Sequence, residues 1–413
     1  MSDEGRGKAK DSGLFEVVTR DFSLLFVSGF LFMASLYLVI PILPLYMIDV
    51  AKISRTQVGI LIGLLTVASM LVRPWIGRKS DSGGRKPLML FGSLNFVVAS
   101  LLYIPARSPI PLLIVLLFQG VGVACFHTAA LTFVGDIAPP ARRGQSMAWY
   151  GSTFNLGIML APLFGVFLRD TFGYNSVFIT ASVCSALCFF FALMVSETKA
   201  EEAEGRVGSP RITKTHLRLI VLVCIAAFGG TVALGSAETF VPVFASVNHI
   251  AHYALFFTIS EGAIIGFKLL GGTVPDRLSR RTAITMSIAT LGASMFILAF
   301  ATNLPMLCAA AFVYGAGFSY HTPAISALLT DKVPASDLGG AFGIFLAAFE
   351  GGIALGAIVT GPISTALGFR TTFILMGVFS LACAVLVAST YNALTAKPDV
   401  KSHIQKVDAK SGQ

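Results

Sequence analysis

Residues 73–86 read RPWIGRKSDSGGRK, and residues 268–281, 195 positions later, read KLLGGTVPDRLSRR. Each copy carries a Gly, an Asp four residues on, and a basic pair four residues after that. These are Gly77, Asp81, Arg85 and Lys86 in the first copy, and Gly272, Asp276, Arg280 and Arg281 in the second, where Arg277 also follows the Asp. Arg73 falls on Lys268. The same offset holds on either side of the stretch. Gly120 and Gly122 fall on Gly315 and Gly317, Asp136 and Pro139 on Asp331 and Pro334, and Gly144 on Gly339. Gly157 falls on Gly352, and Gly173 and Phe178 fall on Gly368 and Phe373. One offset kept over so many Gly, Asp and Pro positions marks an internal duplication, and that sets the architecture before any element is placed.

Composition says what solvent the duplicated unit is built for. Hydrophobic residues make up 55% of the 413 and charged residues 12%, with 34 Phe. A soluble domain carries about 25% charged residues. A water-exposed surface could not accommodate this apolar content, whereas a bilayer can. Runs of about 20 apolar residues, the length that crosses a membrane, fall near 22–45, 57–76, 87–105, 110–135, 146–168 and 175–196 (spans 1 to 6). They recur near 218–244, 252–272, 283–301, 304–330, 339–363 and 371–394 (spans 7 to 12). Spans 3 and 4 are divided only by the turn from Pro105 to Pro111. The expected fold is an all-α membrane protein of twelve transmembrane helices in two six-helix pseudo-repeats. The expected divisions are an N-terminal tail (1–21), a first bundle (22–196), a polar linker (197–217), a second bundle (218–394) and a C-terminal tail (395–413).

Lys and Arg are enriched on the cytoplasmic side of membrane proteins. With both termini placed inside, 25 of the 30 fall on cytoplasmic segments including helix ends, Arg73 among them at the end of span 2. Only Lys52, Arg55, Arg107, Arg169 and Arg370 fall outside. The net charge of +9 is thus a signal of orientation in a multi-pass protein of the cell membrane. It is spread over short loops in no single stripe, so no nucleic-acid partner is expected. The N-terminus, MSDEGRGKAKDSG, is polar with both charge signs and does not read as a cleavable signal. The six Cys lie in apolar runs with no CxxC pair, so neither a metal site nor a disulfide scaffold is expected. HExxH, GxSxG and P-loop patterns are missing. No catalytic residue and no cofactor is therefore expected, and the chain reads as no enzyme.

The Gly77–Lys86 loop resembles the loop signature of the major facilitator superfamily, Gly-x3-Asp-Arg-x-Gly-Arg-Lys/Arg, with Gly84 in the glycine place and Ser82 where the family has a basic residue. The second copy resembles it again. The resemblance implies a site near the midplane between two halves that rock about it. On this reading Gly77 allows close approach of span 2 to a neighbour, and Asp81 faces a helix N-terminus across the seam between the halves. Arg85 and Lys86 pair with Asp136, and Arg143 belongs to the same cytoplasmic gate together with Gly272, Asp276, Arg277 and Arg280. Gly157-x3-Ala161-Pro162-x2-Gly165 in span 5 is similar to the Gly-x3-Gly-Pro-x2-Gly pattern of the family's proton-coupled exporters, and its plain alternative is helix packing. Gln119-Gly120-Val-Gly122 matches span 4 of the family, with Leu116 in the place of a common Arg.

Charge inside a membrane costs several kcal/mol, so buried ionisable groups are functional candidates. Glu238, Glu261 and Glu350 lie within spans 7, 8 and 11, and His127 and His321 within spans 4 and 10. The resemblance places these spans around or beside a central cavity. For each, the bland reading is an interior hydrogen bond. A desolvated carboxyl group here can carry one proton per cycle. Gln119, Asn155, Tyr37, Tyr150, Tyr314 and Tyr320 are further candidates for hydrogen bonding or stacking. The expected function is proton-coupled efflux of a small amphipathic or hydrophobic solute by a monomer in a lipid bilayer. The alternative is an uptake symporter or uniporter for a small polar metabolite.

Overall fold

Capping side chains start the helices where the apolar runs begin. Thr19 Oγ1 accepts from the Phe22 amide at 3.2 Å, and Asn303 Oδ1 from the Met306 amide at 3.0 Å. Ser54 and Gln57 form a capping box, satisfying amides that a helix start leaves without partners. The computed structural model describes residues 19–139, 142–197, 214–270 and 278–395. Span 1 is Arg20–Val39 followed by Leu43–Asp49, with Pro44 near the start of the second piece. Spans 2 to 6 are Arg55–Gly83, Lys86–Leu102, Pro109–Ile137, Arg143–Phe172 and Tyr174–Met194. Spans 7 to 10 are Lys214–Val247, Leu255–Leu270, Arg280–Ala299 and Leu304–Lys332.

The last helix, Ala335–Thr395, has 61 residues and one break, at Gly368 (φ 78°, ψ 164°). At ~1.5 Å per residue it would be about three times as long as a bilayer core is thick, so Gly368 divides spans 11 and 12. Gly173, 195 positions earlier, divides spans 5 and 6 with φ 83° and ψ 175°. Both sit in the positive-φ region, which glycine alone enters without strain.

The twelve spans form two pseudo-repeats with the same internal packing. Span 1 packs on 5 and 6, span 2 on 4, and span 3 on 4 and 6. In the second half, span 7 packs on 11 and 12, span 8 on 10, and span 9 on 10 and 12. The equivalence reaches single contacts: a Cβ on Gly120 would crowd the Leu65 carbonyl, and one on Gly315 the Ser260 carbonyl. Both pairs are related by 195 residues.

Span 2 lies against span 11, and span 5 against span 8, across the seam. Contacts along the seam are uneven. At the end remote from the chain termini, Thr56 Oγ1 donates to Thr365 Oγ1 (3.4 Å), Thr258 Oγ1 to the Met159 carbonyl (2.7 Å) and Arg169 Nη1 to Tyr253 Oη (3.0 Å). One apolar cluster, including Leu38, Tyr46, Phe178, Phe244 and Phe373, joins both halves there. Toward the termini the core splits, with Phe32, Phe126 and Tyr150 in the first half and Ile288, Phe345 and Val387 in the second. The halves are shut at the remote end and parted at the near one.

Two expectations are corrected. Span 2 continues to Gly83 rather than ending near 76, so Arg78, Lys79 and Ser80 belong to the helix and not to a loop, and Arg73 lies ten residues before its end. Gly77 makes no close approach among the described residues: a Cβ there would meet none of them within 4 Å, because the near ends of the halves stand apart. Gly272, Asp276, Arg277 and the side chain of Asp81 lie outside the described residues.

Candidate functional site

The parted seam holds a two-lobed cavity. One lobe, of about 270 Å³, is walled mainly by the second half through Phe256, Phe257, Glu261, Tyr314, Phe318 and Phe349. The other, of about 230 Å³, is walled mainly by the first half through Leu65, Ser69, Arg73, Val123 and His127, with Glu350 entering from span 11. Tyr37, Phe154, Ile158, Glu238 and Ile353 line both, so the lobes form one continuous site. The small and apolar residues of spans 1, 2, 5, 7 and 8 pack the spans into walls, and the few polar side chains point into the gap.

All three carboxylates predicted inside the membrane reach this cavity, and they differ in company. Glu350 is paired: its Oε1 lies 2.5 Å from Arg73 Nη2, across the seam between spans 11 and 2. Glu238 Oε1 accepts a hydrogen bond from Tyr37 Oη at 3.3 Å, also across the seam. Glu261 is 7% exposed, and its Oε2 has no hydrogen-bond partner among the described residues. Neither Glu238 nor Glu261 has an ion-pair partner among those residues. Around them the wall is aromatic. Tyr314 stacks on Phe318 (ring centroids 5.9 Å, planes 9° apart), and Phe318 lies beside Phe349. The Tyr314 hydroxyl is buried without a hydrogen-bond partner among the described residues.

Of the other candidates, His127 lies in the first lobe wall, edge-on to Phe154 at 4.7 Å. His321 lines neither lobe. It is fully buried in the second half, with Nδ1 3.3 Å from Ser287 Oγ and its ring against Gly230 of span 7. Gln119 accepts from the Tyr103 hydroxyl inside the first half. Tyr150 fills the space beside Gly29, between spans 1 and 5. Asn155 is half-buried and lines neither lobe. Tyr320 donates to the Phe267 carbonyl at 3.3 Å and lines a separate apolar recess between spans 9 and 10. Five of these six are thus packing groups or lie off the cavity.

Sequence reasoning missed Arg73. Its signal was the match to Lys268, and its meaning was hidden by counting it with the basic residues that set orientation. Lys268, its counterpart on span 8, is exposed and has no carboxylate within ion-pair distance among the described residues.

At the near end, Arg85 Nε lies 2.9 Å from Asp136 Oδ2, while its Nη1 donates to the Ser80 carbonyl at 2.8 Å. In the second half Arg280 Nε lies 2.9 Å from Asp331 Oδ2. The two pairs are the same contact at an offset of 195, and each ties the start of one span to the end of another within its own half. Gly84 has φ 88°, with the Glu197 carboxylate where a Cβ would point. Lys86 is the first residue of span 3, and Arg143 opens span 5 exposed to solvent. In span 5, a Cβ on Gly157 would stand 2.6 Å from Met33 Cβ and one on Gly165 3.1 Å from the Leu38 carbonyl, with Ala161 and Pro162 buried between. The motif therefore lays span 5 tightly along span 1.

The sequence profile of the Major Facilitator Superfamily matches residues 25–274 and 249–410. The staphyloferrin B transporter of Staphylococcus aureus is 25% identical over 400 residues, covering 90% of this chain and 93% of that protein. The quinolone resistance protein NorA of the same organism is 21% identical over 317 residues, covering 75% and 81% respectively. Among solved structures, a bacterial homologue of the human lysosomal transporter Spinster, inward-facing and unoccupied, superposes with a TM-score of 0.75 at 16% identity over 92% of this chain and 98% of that one.

Proposed function

The chain belongs to the Major Facilitator Superfamily and is a multi-pass membrane transporter; from that premise we propose that it exports a small amphipathic solute in exchange for protons, by alternating access about the two-lobed cavity. The observation that carries this reading is the pair Glu238 and Glu261, two carboxylates without cationic partners among the described residues, in an aromatic wall. A lone carboxylate in such a place is costly unless it binds either a proton or a positively polarised solute. Both occupants neutralise it, so each displaces the other, which is the logic of exchange. The walls of Phe256, Phe257, Phe318 and Phe349 suit the apolar body of a solute. The span 5 packing motif, similar to that of proton-coupled exporters, and the likeness to NorA support export over uptake. On this reading the termini are cytoplasmic, the described state is open to the cytoplasm, and the protein acts as a monomer in the cell membrane.

The test is accumulation of fluorescent amphipathic solutes in inverted vesicles with an acidic lumen. Accumulation that collapses when an ionophore dissipates the gradient is expected, and it should be absent with Glu261→Gln. Flux that ignores the gradient, or accumulation by intact cells instead, sinks the proposal; the second outcome would favour uptake.

A further inference from the structure

At the end remote from the chain termini lies a third cavity, of about 410 Å³, lined by Arg55, Phe244, Asn248, Phe300, Thr302, Phe369 and Arg370 among others. It is separate from the central cavity and shares none of its residues. This end of the molecule is poor in basic residues, with five of the chain's 30 Lys and Arg assigned to it by the sequence, yet two of the five meet in one recess. Among the described residues no carboxylate lines it.

Both guanidinium groups lie over aromatic rings. Arg55 Cζ sits 4.8 Å from the centre of the Phe369 ring, and Arg370 Cζ sits 4.3 Å from that of Phe300. Stacking on a ring fixes a guanidinium by its face and leaves its N–H edge free. Arg55 uses one donor, at 3.5 Å, on the Ser364 carbonyl; Arg370 makes no hydrogen bond or ion pair among the described residues. Two pre-oriented forks with unspent donors, in a recess without negative charge, fit the planar or tetrahedral oxygens of an oxyanion.

We propose that this recess is an anion site, distinct from the transport cavity, that takes a phosphate group. Arg55 comes from the first half, and Phe369, Arg370 and Ser364 from the second, so the site exists only while the remote end is shut. A phosphate bound there spans the seam and favours this state, because a ligand shifts an equilibrium toward the state that holds it. The group can arrive as the headgroup of a phospholipid or as phosphate in solution.

The test is thermal unfolding of the full chain in an uncharged detergent, with two probes. Sodium phosphate is exchanged for chloride at constant ionic strength, and phosphatidylglycerol is compared with uncharged diacylglycerol. A saturable rise in unfolding temperature is expected with at least one probe. A response to phosphate assigns the site to dissolved phosphate; a response to the lipid alone assigns it to headgroups. In Arg370→Gln the apparent Kd should weaken at least ten-fold. Arg370 is exposed, so without either probe this variant should unfold cooperatively and only slightly below the wild type, losing the contact with Phe300. No response to either probe, or a response undiminished in Arg370→Gln, overturns the proposal.

Discussion

Among single residues, the membrane interior treats the three glutamates differently because only one has a counter-charge. Arg73 and Glu350 are 25% and 12% exposed, and their 2.5 Å pair joins the two halves. Removing one partner of a buried pair leaves the other charge uncompensated, at a cost of about 3–5 kcal/mol when the pair is fully buried and less for this partly exposed one. Glu350→Leu should therefore lower thermal stability clearly, and adding Arg73→Met should restore most of it. An unfolding series on the two single variants and the double variant checks this; equal losses that simply add would refute the pairing. The glutamates themselves were legible in the sequence, since a carboxylate in an apolar run stands out against its neighbours. Their partners were not. Arg73 and Glu350 are 277 positions apart, Tyr37 and Glu238 are 201 apart, and no local pattern of charge or period links residues on different halves. His321 and Gln119 stood out equally well, yet their side chains turn into Ser287 and Tyr103 of their own halves. Position along a helix is readable from sequence, whereas the direction a side chain faces in a helix apolar all round is not.

Among the elements, duplication is the organising fact, and it predicts effects in pairs. Arg85–Asp136 and Arg280–Asp331 tie the same helix ends in the two halves, but Arg85 is 8% exposed and Arg280 32%. An exposed ion pair contributes up to ~1 kcal/mol, while a buried one resists loss of a partner more strongly. Arg85→Gln should thus be the more damaging of two formally equivalent substitutions, by about 1 kcal/mol in unfolding measurements. The glycines divide along the same axis. A Cβ on Gly59 would run into the Ala357 carbonyl of span 11, whereas one on Gly77 of the same helix meets nothing. Gly59→Ala should impair closure of the remote end and reduce transport, with Gly77→Ala the milder change in this state. Comparing initial transport rates at equal surface expression separates them, and equal rates would contradict the close crossing. The repeat, with Gly173 falling on Gly368, could be read from spacing alone. The ends of the helices could not, because a helix can run past its apolar stretch into water, as span 2 does from Arg78 to Gly83.

For the whole molecule, the uneven seam is what transport has to use. A single cluster of apolar side chains holds the halves together at the remote end, and two separate clusters hold each half together at the near end. Opening the remote end must break the contacts of spans 2 and 11 and of spans 5 and 8 while leaving each half intact. Thr56 and Thr365 face one another there, with hydroxyl oxygens 3.4 Å apart on opposite halves. Replacing both by Cys brings two sulfurs within reach of a disulfide, which requires Cβ atoms roughly 3.5–4.5 Å apart. Oxidation of Thr56→Cys/Thr365→Cys should then form the bond quickly and stop transport, since the molecule is held with its remote end shut. Reductant should restore it. The partly or fully buried native cysteines serve as the control, because the same oxidant should leave the wild-type protein active. Transport that persists with the bond formed, as shown by the oxidised protein's altered gel mobility, would mean that the halves do not part at this seam. The rocking motion inferred from the two clusters would then be wrong, even with the fold itself intact.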